Sequence, residues 1–153
     1  MSPAPLSITR KLEFDAGHRI PNHASKCRNL HGHRYVLECT VTGPLISQAG
    51  DSSEGMIVDF GVLKEVMNNT IVNVWDHALL LWIKDPILDG VGLLEVLGPD
   101  HKTVLLPCIP TVERLAEYAF SRIEEALLSY GLMLTHLRLY ETPNCWADQY
   151  TAS

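Results

Sequence analysis

His31-Gly32-His33 is the most chemically suggestive run in the chain. Residues two apart in a strand project from one face, so both imidazoles would point the same way and clamp a metal between them. A third imidazole from His18, at the end of a neighbouring strand, would give three nitrogen ligands and leave a fourth position open, as in catalytic zinc sites. His-x-His pairs also occur as solvated strand residues, so the case rests on what surrounds them. Cys27 stands just before the pair; a thiol held near a dication and an imidazole is a ready source of thiolate, a base or nucleophile at neutral pH. The alternatives are an ordinary buried cysteine or a fourth zinc ligand. Cys39, on the apolar face of a strand, suits burial, whereas Cys27, between Lys26 and Arg28, does not. In Asp76-His77 the carboxylate could orient the ring and fix its tautomer, pairing an orienter with a base. Standing alone, that pair would read as a polar turn. Glu141 closes a stripe of leucines, where an unpaired carboxylate is costly. Its partner is either a lysine or arginine at an edge, or a guanidine-like ligand edge with two parallel N–H donors.

These side chains need elements to hold them. Ile8, Leu12, Phe14, Ala16 and His18 share one parity, and Lys11, Glu13 and Asp15 the other, which predicts a half-buried strand ending at His18. A second strand starts at His31-Gly32-His33 and continues through Arg34 to Thr42, with Tyr35, Leu37, Cys39 and Val41 on its apolar face. Residues 19–30, with Pro21, Asn22 and Asn29, lack periodicity and read as a loop of a length that often carries function. After a polar connector from Ser47 to Gly55, Asp59 caps a helix with Leu63, Val66, Met67, Ile71 and Val74 on its buried stripe, and Asp76-His77 fall just past its end. Residues 84–110 read as an irregular excursion containing a short strand at Thr103 to Leu106. Thr111 caps a second helix with Val112, Leu115, Ala116, Ala119, Phe120, Ile123 and Leu127 buried, and Gly131 ends it. A last strand carries Leu137, Leu139 and Glu141 on one face. The sum is one α+β domain, residues 1–153, with mainly antiparallel strands.

Composition sets the outer bounds. With 46% hydrophobic and 20% charged residues among 153, the chain can bury a core, which excludes disorder as its main state. A net charge of −6 offers no basic footprint for a nucleic-acid backbone. The longest apolar run, Ala78 to Ile83, falls far short of the roughly 20 residues that span a bilayer. Met1-Ser2-Pro3-Ala4-Pro5 lacks a signal peptide's apolar core, so the expectation is a cytoplasmic protein with no membrane partner. Cys27, Cys39, Cys108 and Cys145 are widely spaced and read as free thiols.

Phe14-Asp15-Ala16-Gly17-His18-Arg19, Cys27-x-x-x-His31-Gly32-His33, Gly55-Met56-Ile57-Val58-Asp59-Phe60 with Leu63-Lys64, Asp76-His77, Thr111-x-Glu113 and Glu141-Thr142-Pro143 occur in this order. Together they resemble the 6-pyruvoyltetrahydropterin synthase and 6-carboxytetrahydropterin synthase family over most of the chain. The resemblance implies a tunnelling fold: a four-stranded antiparallel sheet with two helices on one side, forming a barrel as a trimer and a homohexamer as paired trimers, with active sites between subunits. It implies His18, His31 and His33 as Zn2+ ligands, Cys27 as catalytic thiol, Asp76 and His77 as its relay, and Glu141 as the pterin anchor, with Thr111 and Glu113 as further pterin contacts. The short interval from Cys27 to His31 and the tail from Glu141 to Ala147 resemble the queuosine-pathway members.

The reaction so implied converts 7,8-dihydroneopterin triphosphate and water to 6-carboxy-5,6,7,8-tetrahydropterin, acetaldehyde and triphosphate. Zinc would act as a Lewis acid on the side-chain hydroxyls, and Cys27 and His77 would move protons near pH 7. Lys26, Arg28 and Arg19 are the candidate cations for the triphosphate. Two other readings remain open at this point. One is a pyruvoyl-forming or side-chain-cleaving pterin synthase on the same site; the other is a non-catalytic, zinc-stabilised pterin-binding module, closed by Cys27 as fourth ligand.

Overall fold

The computed structural model describes residues 5–90 and 92–153; Met1–Ala4, which carry most of the signal-peptide argument, lie outside the described residues. The two period-two segments meet as predicted. Strand β1 (Ser7–His18) and strand β2 (His31–Thr42) pair antiparallel from Ser7 opposite Thr42 to His18 opposite His31. That register alone brings His18 to the base of the His-Gly-His run. One face of the pair is buried, from Phe14 and Ala16 on β1 to Tyr35, Leu37, Cys39 and Val41 on β2. The other is a solvated lattice of charges, with Arg34 bridging Glu13 and Asp15 and Lys11 reaching Glu38.

Helix α1 (Phe60–Met67) begins where Asp59 Oδ1 accepts the N–H of Gly61 at 2.6 Å. It runs on through a π turn, Asn68–Val72, into a last helical turn, α2 (Asn73–Trp75). The sequence placed Val74 on the buried stripe; Val74 is 41% exposed, and Trp75 is buried in its stead. A π turn carries more residues than an α turn and so rotates everything after it. Thr70 sits in that turn and bonds the Val66 carbonyl at 2.7 Å, a contact that loosens the helical ladder.

The chain then forms β3 (Ala78–Trp82), enters an excursion containing the short helix α3 (Leu93–Leu97), and returns as β4 (Thr103–Leu106). Helix α4 (Val112–Leu127) follows, capped by Thr111 Oγ1, which accepts the N–H of Arg114 at 3.2 Å; Gly131, at φ +66°, turns the chain out of its last turn. Strand β5 (Met133–Thr142) lies on β2, and β6 (Cys145–Tyr150) folds back on β5. A register shift at Thr40/Val41 lets Leu134 and Leu137 both enter the core.

The result is a six-stranded sheet in the order β4-β3-β1-β2-β5-β6. This corrects the four-stranded antiparallel sheet expected above, because β3 runs parallel to β1 and β4 parallel to β3. Ala78–Trp82 is continuously apolar and has no alternation to betray a strand, as happens when both faces are covered. Strand β6 is mostly exposed, so its pattern of polar and aromatic residues gave no apolar signal either. Under the helices, Phe14 stacks on Tyr35 with ring centroids 5.3 Å apart and meets Trp75 edge-on at 6.1 Å. Among the described residues all four cysteines are free, and no helix is long and apolar enough to cross a membrane.

Candidate functional site

The helix-covered face of the sheet ends in imidazoles. His18, His31 and His33 each offer a ring nitrogen within 4.8 Å of the other two, and their ring centroids lie 4.6 to 5.0 Å apart. Their tautomers follow from their partners. The Pro110 carbonyl can only accept, so the His18 Nδ1–H donates to it at 2.8 Å and Nε2 keeps its lone pair. The His31 Nδ1–H donates to the Asn29 carbonyl at 2.7 Å in the same way. The Nε2 atoms of His18 and His33 are buried and have no hydrogen-bond partner. An orphaned buried nitrogen costs about 1–3 kcal/mol, and two aimed into one spot are a strong signal for an electron-pair acceptor.

The protonation states suit that acceptor. Burial pushes His18 down to about 4, the Pro110 bond opposes this, and the neighbouring His31 and His33 add to it. Burial also lowers His33, against the pull of Glu141. Neutral imidazoles are what divalent metals bind. Below them Tyr35 closes the site, with its hydroxyl oxygen 3.3 Å from His18 Nδ1. Burial, helped by the Glu141 carboxylate, keeps that phenol protonated. Tyr35 has the same strand parity as His31 and His33, so alternation along β2 alone aims it at their site. Pro110 had no such signal.

Glu141 follows the pair Val36–Tyr140 on β5, which sets its carboxylate beside the imidazoles, at 3.8 Å from both His18 Nε2 and His33 Nε2. Among the described residues no lysine or arginine pairs with it, so the edge-carboxylate alternative fails. Cys27 is half-buried in a single turn, Lys26–Arg28, and the Ile20 N–H donates to its carbonyl at 2.8 Å, which folds the loop back onto the end of β1. Its sulfur is not one of the atoms gathered with the imidazoles. The trio is therefore not closed by a thiol, as a four-ligand structural zinc site would be.

Asp76 and His77 form a second group. The Asp15 N–H donates to Asp76 Oδ1 at 3.0 Å, and His77 Nδ1 lies 3.0 Å from Asp76 Oδ2. Burial alone would raise the Asp76 carboxyl, but the Asp15 N–H, the His77 ring and the Lys102 ammonium together hold it below its usual range. With Nδ1–H committed to the carboxylate, His77 presents Nε2 as a proton acceptor. His33 and His77 line one open cleft of about 550 Å³, whose floor is bare backbone where Gly17 and Gly32 face each other across β1 and β2. A Cβ at Gly32 would lie 3.1 Å from the Ala16 carbonyl, so that floor admits little else. No hydrogen bond joins Cys27 to Asp76 or His77 among the described residues, and the thiol is not grouped with either of them. Thr111 is engaged as the cap of α4, and Glu113 is exposed on its first turn. Arg19 is tied by its Nε to the buried Asp85 at 2.8 Å.

Residues 7–152 match the family model described as 6-pyruvoyl tetrahydropterin synthase. A Rickettsia conorii protein named 6-carboxy-5,6,7,8-tetrahydropterin synthase is 37% identical over 144 residues, covering 94% of this chain and 99% of that protein. A Haemophilus influenzae protein of the same name is 30% identical, covering 94% and 97%. Among solved structures, an uncharacterized protein from Wolinella succinogenes shares the fold with a TM-score of 0.80 at 19% identity, over 98% of this chain and 100% of that one. The Caenorhabditis elegans 6-pyruvoyl tetrahydropterin synthase does so with a TM-score of 0.63 at 23% identity, over 97% of each chain.

Proposed function

Because the chain belongs to the 6-pyruvoyl tetrahydropterin synthase family, we propose that it is a zinc-dependent 6-carboxy-5,6,7,8-tetrahydropterin synthase acting on 7,8-dihydroneopterin triphosphate. The observation that carries the reading is the pair of orphaned, buried Nε2 atoms of His18 and His33 facing His31. The product assignment is supported by the relatives of that name that align along nearly the whole chain. A place in queuosine biosynthesis is supported by the short Cys27-to-His31 interval.

His18, His31 and His33 would hold the zinc through neutral imidazoles. Bound there, zinc supplies Lewis acidity to the substrate's side-chain hydroxyls. Cys27 takes and returns protons along that side chain, from a turn pinned to the end of β1. His77 Nε2 is the second proton carrier, with Asp76 fixing its tautomer. Glu141 holds the pterin's aminopyrimidine edge by two parallel N–H bonds. Glu113, exposed on the first turn of α4, is a further candidate pterin contact. Lys26 and Arg28 flank the thiol, make no ion pair among the described residues and are the cations for the triphosphate; Arg19 offers only what Asp85 leaves it.

The His77 side chain is 77% exposed and groups with Asp15 rather than with Cys27. That arrangement supports a site completed by a neighbouring subunit in a homohexamer of paired trimers. The test is to incubate the zinc-loaded protein with 7,8-dihydroneopterin triphosphate and identify the products by mass spectrometry with an acetaldehyde assay. 6-Carboxytetrahydropterin with acetaldehyde is expected. A pyruvoyl product would move the protein to the other synthase activity, and unchanged bound substrate would make it a binding module.

A further inference from the structure

The excursion between β3 and α4 has no part in the reaction proposed above, yet it grips both groups of the site. Asp85 takes Arg19 next to His18, and Pro110 takes His18 itself. Between these anchors Lys102 reaches in the other direction, and its Nζ donates to the carbonyl oxygens of Asn73 at 2.7 Å and Asp76 at 2.6 Å. We propose that Lys102 is a positioning residue that clamps the Asp76–His77 turn in the conformation proton transfer needs. The role rests on the pterin synthase reading for its chemistry, though not for its geometry.

The turn needs an external clamp. A helix leaves its last carbonyls without intrahelical partners and carries its negative end there. At the end of α2 the chain swings at once into extended backbone at Asp76, and His77 then takes φ +59°. A residue bearing a Cβ holds that left-handed conformation only when its surroundings over-determine it. Two of the anchors come from β1: the His77 N–H donates to the Asp15 carbonyl at 2.6 Å, and the Asp15 N–H donates to the Asp76 carboxylate. They fix the turn on its strand side, and the Asp76 N–H, donating to the Val72 carbonyl at 2.8 Å, ties its entry to the helix. The carbonyls of Asn73 and Asp76 are left over, and the Lys102 ammonium joins them across the point where the backbone changes direction. Lys102 is itself held, because its carbonyl accepts the Leu79 N–H at 2.9 Å.

The ammonium also acts by charge. Among the described residues, the charged and titratable groups near Asp76 include Asp15 on β1, the Arg34 that pairs with Asp15 from β2, His77 in the turn, Lys102, and His101, which lines the same cleft as Asp15 and His77. Arg34 is spent on Glu13 and Asp15, and the Lys102 ammonium adds a smaller pull to those of the Asp15 N–H and the His77 ring, which together hold the Asp76 carboxyl below its usual range.

The experiment compares zinc-loaded wild type, K102M and K102R. For K102M, kcat falls about 10- to 100-fold, as expected for a misaimed proton carrier, with KM and zinc content unchanged. K102R keeps a cation and its donors and recovers most of kcat. Amide exchange at Asp76 and His77, measured without substrate, is about tenfold faster in K102M, with β1 around His18 unaffected. A K102M enzyme within about twofold of wild-type kcat, a rise in KM alone, or no recovery in K102R overturns the proposal. Wild type that makes no pterin product defeats the functional reading, and the exchange measurement then decides the clamp by itself: faster exchange upholds it and unchanged exchange rejects it.

Discussion

Acidifying the metal-free protein tests the central claim about the imidazole trio. His18 is 1% exposed, and burial holds it at about 4 against an ordinary value of 6.5. The unfolded chain therefore binds a proton at this residue as the pH falls through 6.5, while the folded chain resists until about 4. Protons taken up only by the unfolded state favour unfolding. The stability held by a neutral His18 is complete above pH 6.5, drains as the pH falls from there toward 4, and changes no further below it. Between about pH 7.5 and about pH 4.5 the linkage amounts to about 2–3 kcal/mol, at 1.36 kcal/mol per unit. Urea unfolding of the chelator-treated wild type and of His18→Leu, followed across that range, isolates the effect, since the variant cannot take up the proton. The difference between the two stabilities should shrink by that amount as the solution becomes acidic. A difference that stays flat within about 0.5 kcal/mol would show that His18 titrates normally and that the burial argument is wrong.

Replacing Cys27 by alanine should lower kcat about 10²- to 10⁴-fold and leave zinc in place, read by steady-state kinetics with elemental analysis; full turnover would remove the thiol from the mechanism. Substituting His31 and His33 together by alanine should abolish zinc binding while the chain stays folded, so a full complement of zinc in the purified variant would reject the ligand set. Glu141→Gln should weaken pterin binding about 10- to 160-fold, since charge-assisted hydrogen bonds contribute about 1.5–3 kcal/mol. Titration calorimetry with a pterin checks this, and unchanged affinity sinks the anchor. Leu37→Ala, in the fully buried layer with Tyr35 and Phe14, should cost about 2–5 kcal/mol in urea unfolding; a loss under about 1 kcal/mol would contradict the packing described.

Strands β1 and β2 were legible because each has one wet face and one dry face, so composition alternates with the backbone. That parity also placed His31 and His33 together and Tyr35 beneath them. Asp59 and Thr111 announced their helices by the chemistry of capping, and Gly131 its stop. Strand β3 was invisible because a strand covered on both faces has no alternation to read. Val74 was misplaced because a π turn shifts helical phase without changing the composition that phase is read from.

The site divides along the same line. Its residue types and the clamp-like spacing of the two strand histidines are local properties, fixed by neighbours along the chain. What fixes the tautomer of His18, the side chain of Arg19 beside it and the Asp76–His77 turn is not local. Pro110, Asp85 and Lys102 arrive from distant sequence positions, and each acts through a carbonyl, a buried carboxylate or an ammonium reaching a backbone oxygen. Such contacts leave no periodicity and no motif. The sequence by itself determined which groups can do chemistry and which faces they occupy. Only the tertiary structure decided their protonation and aim, because burial and hydrogen bonding depend on which distant segments fold against them.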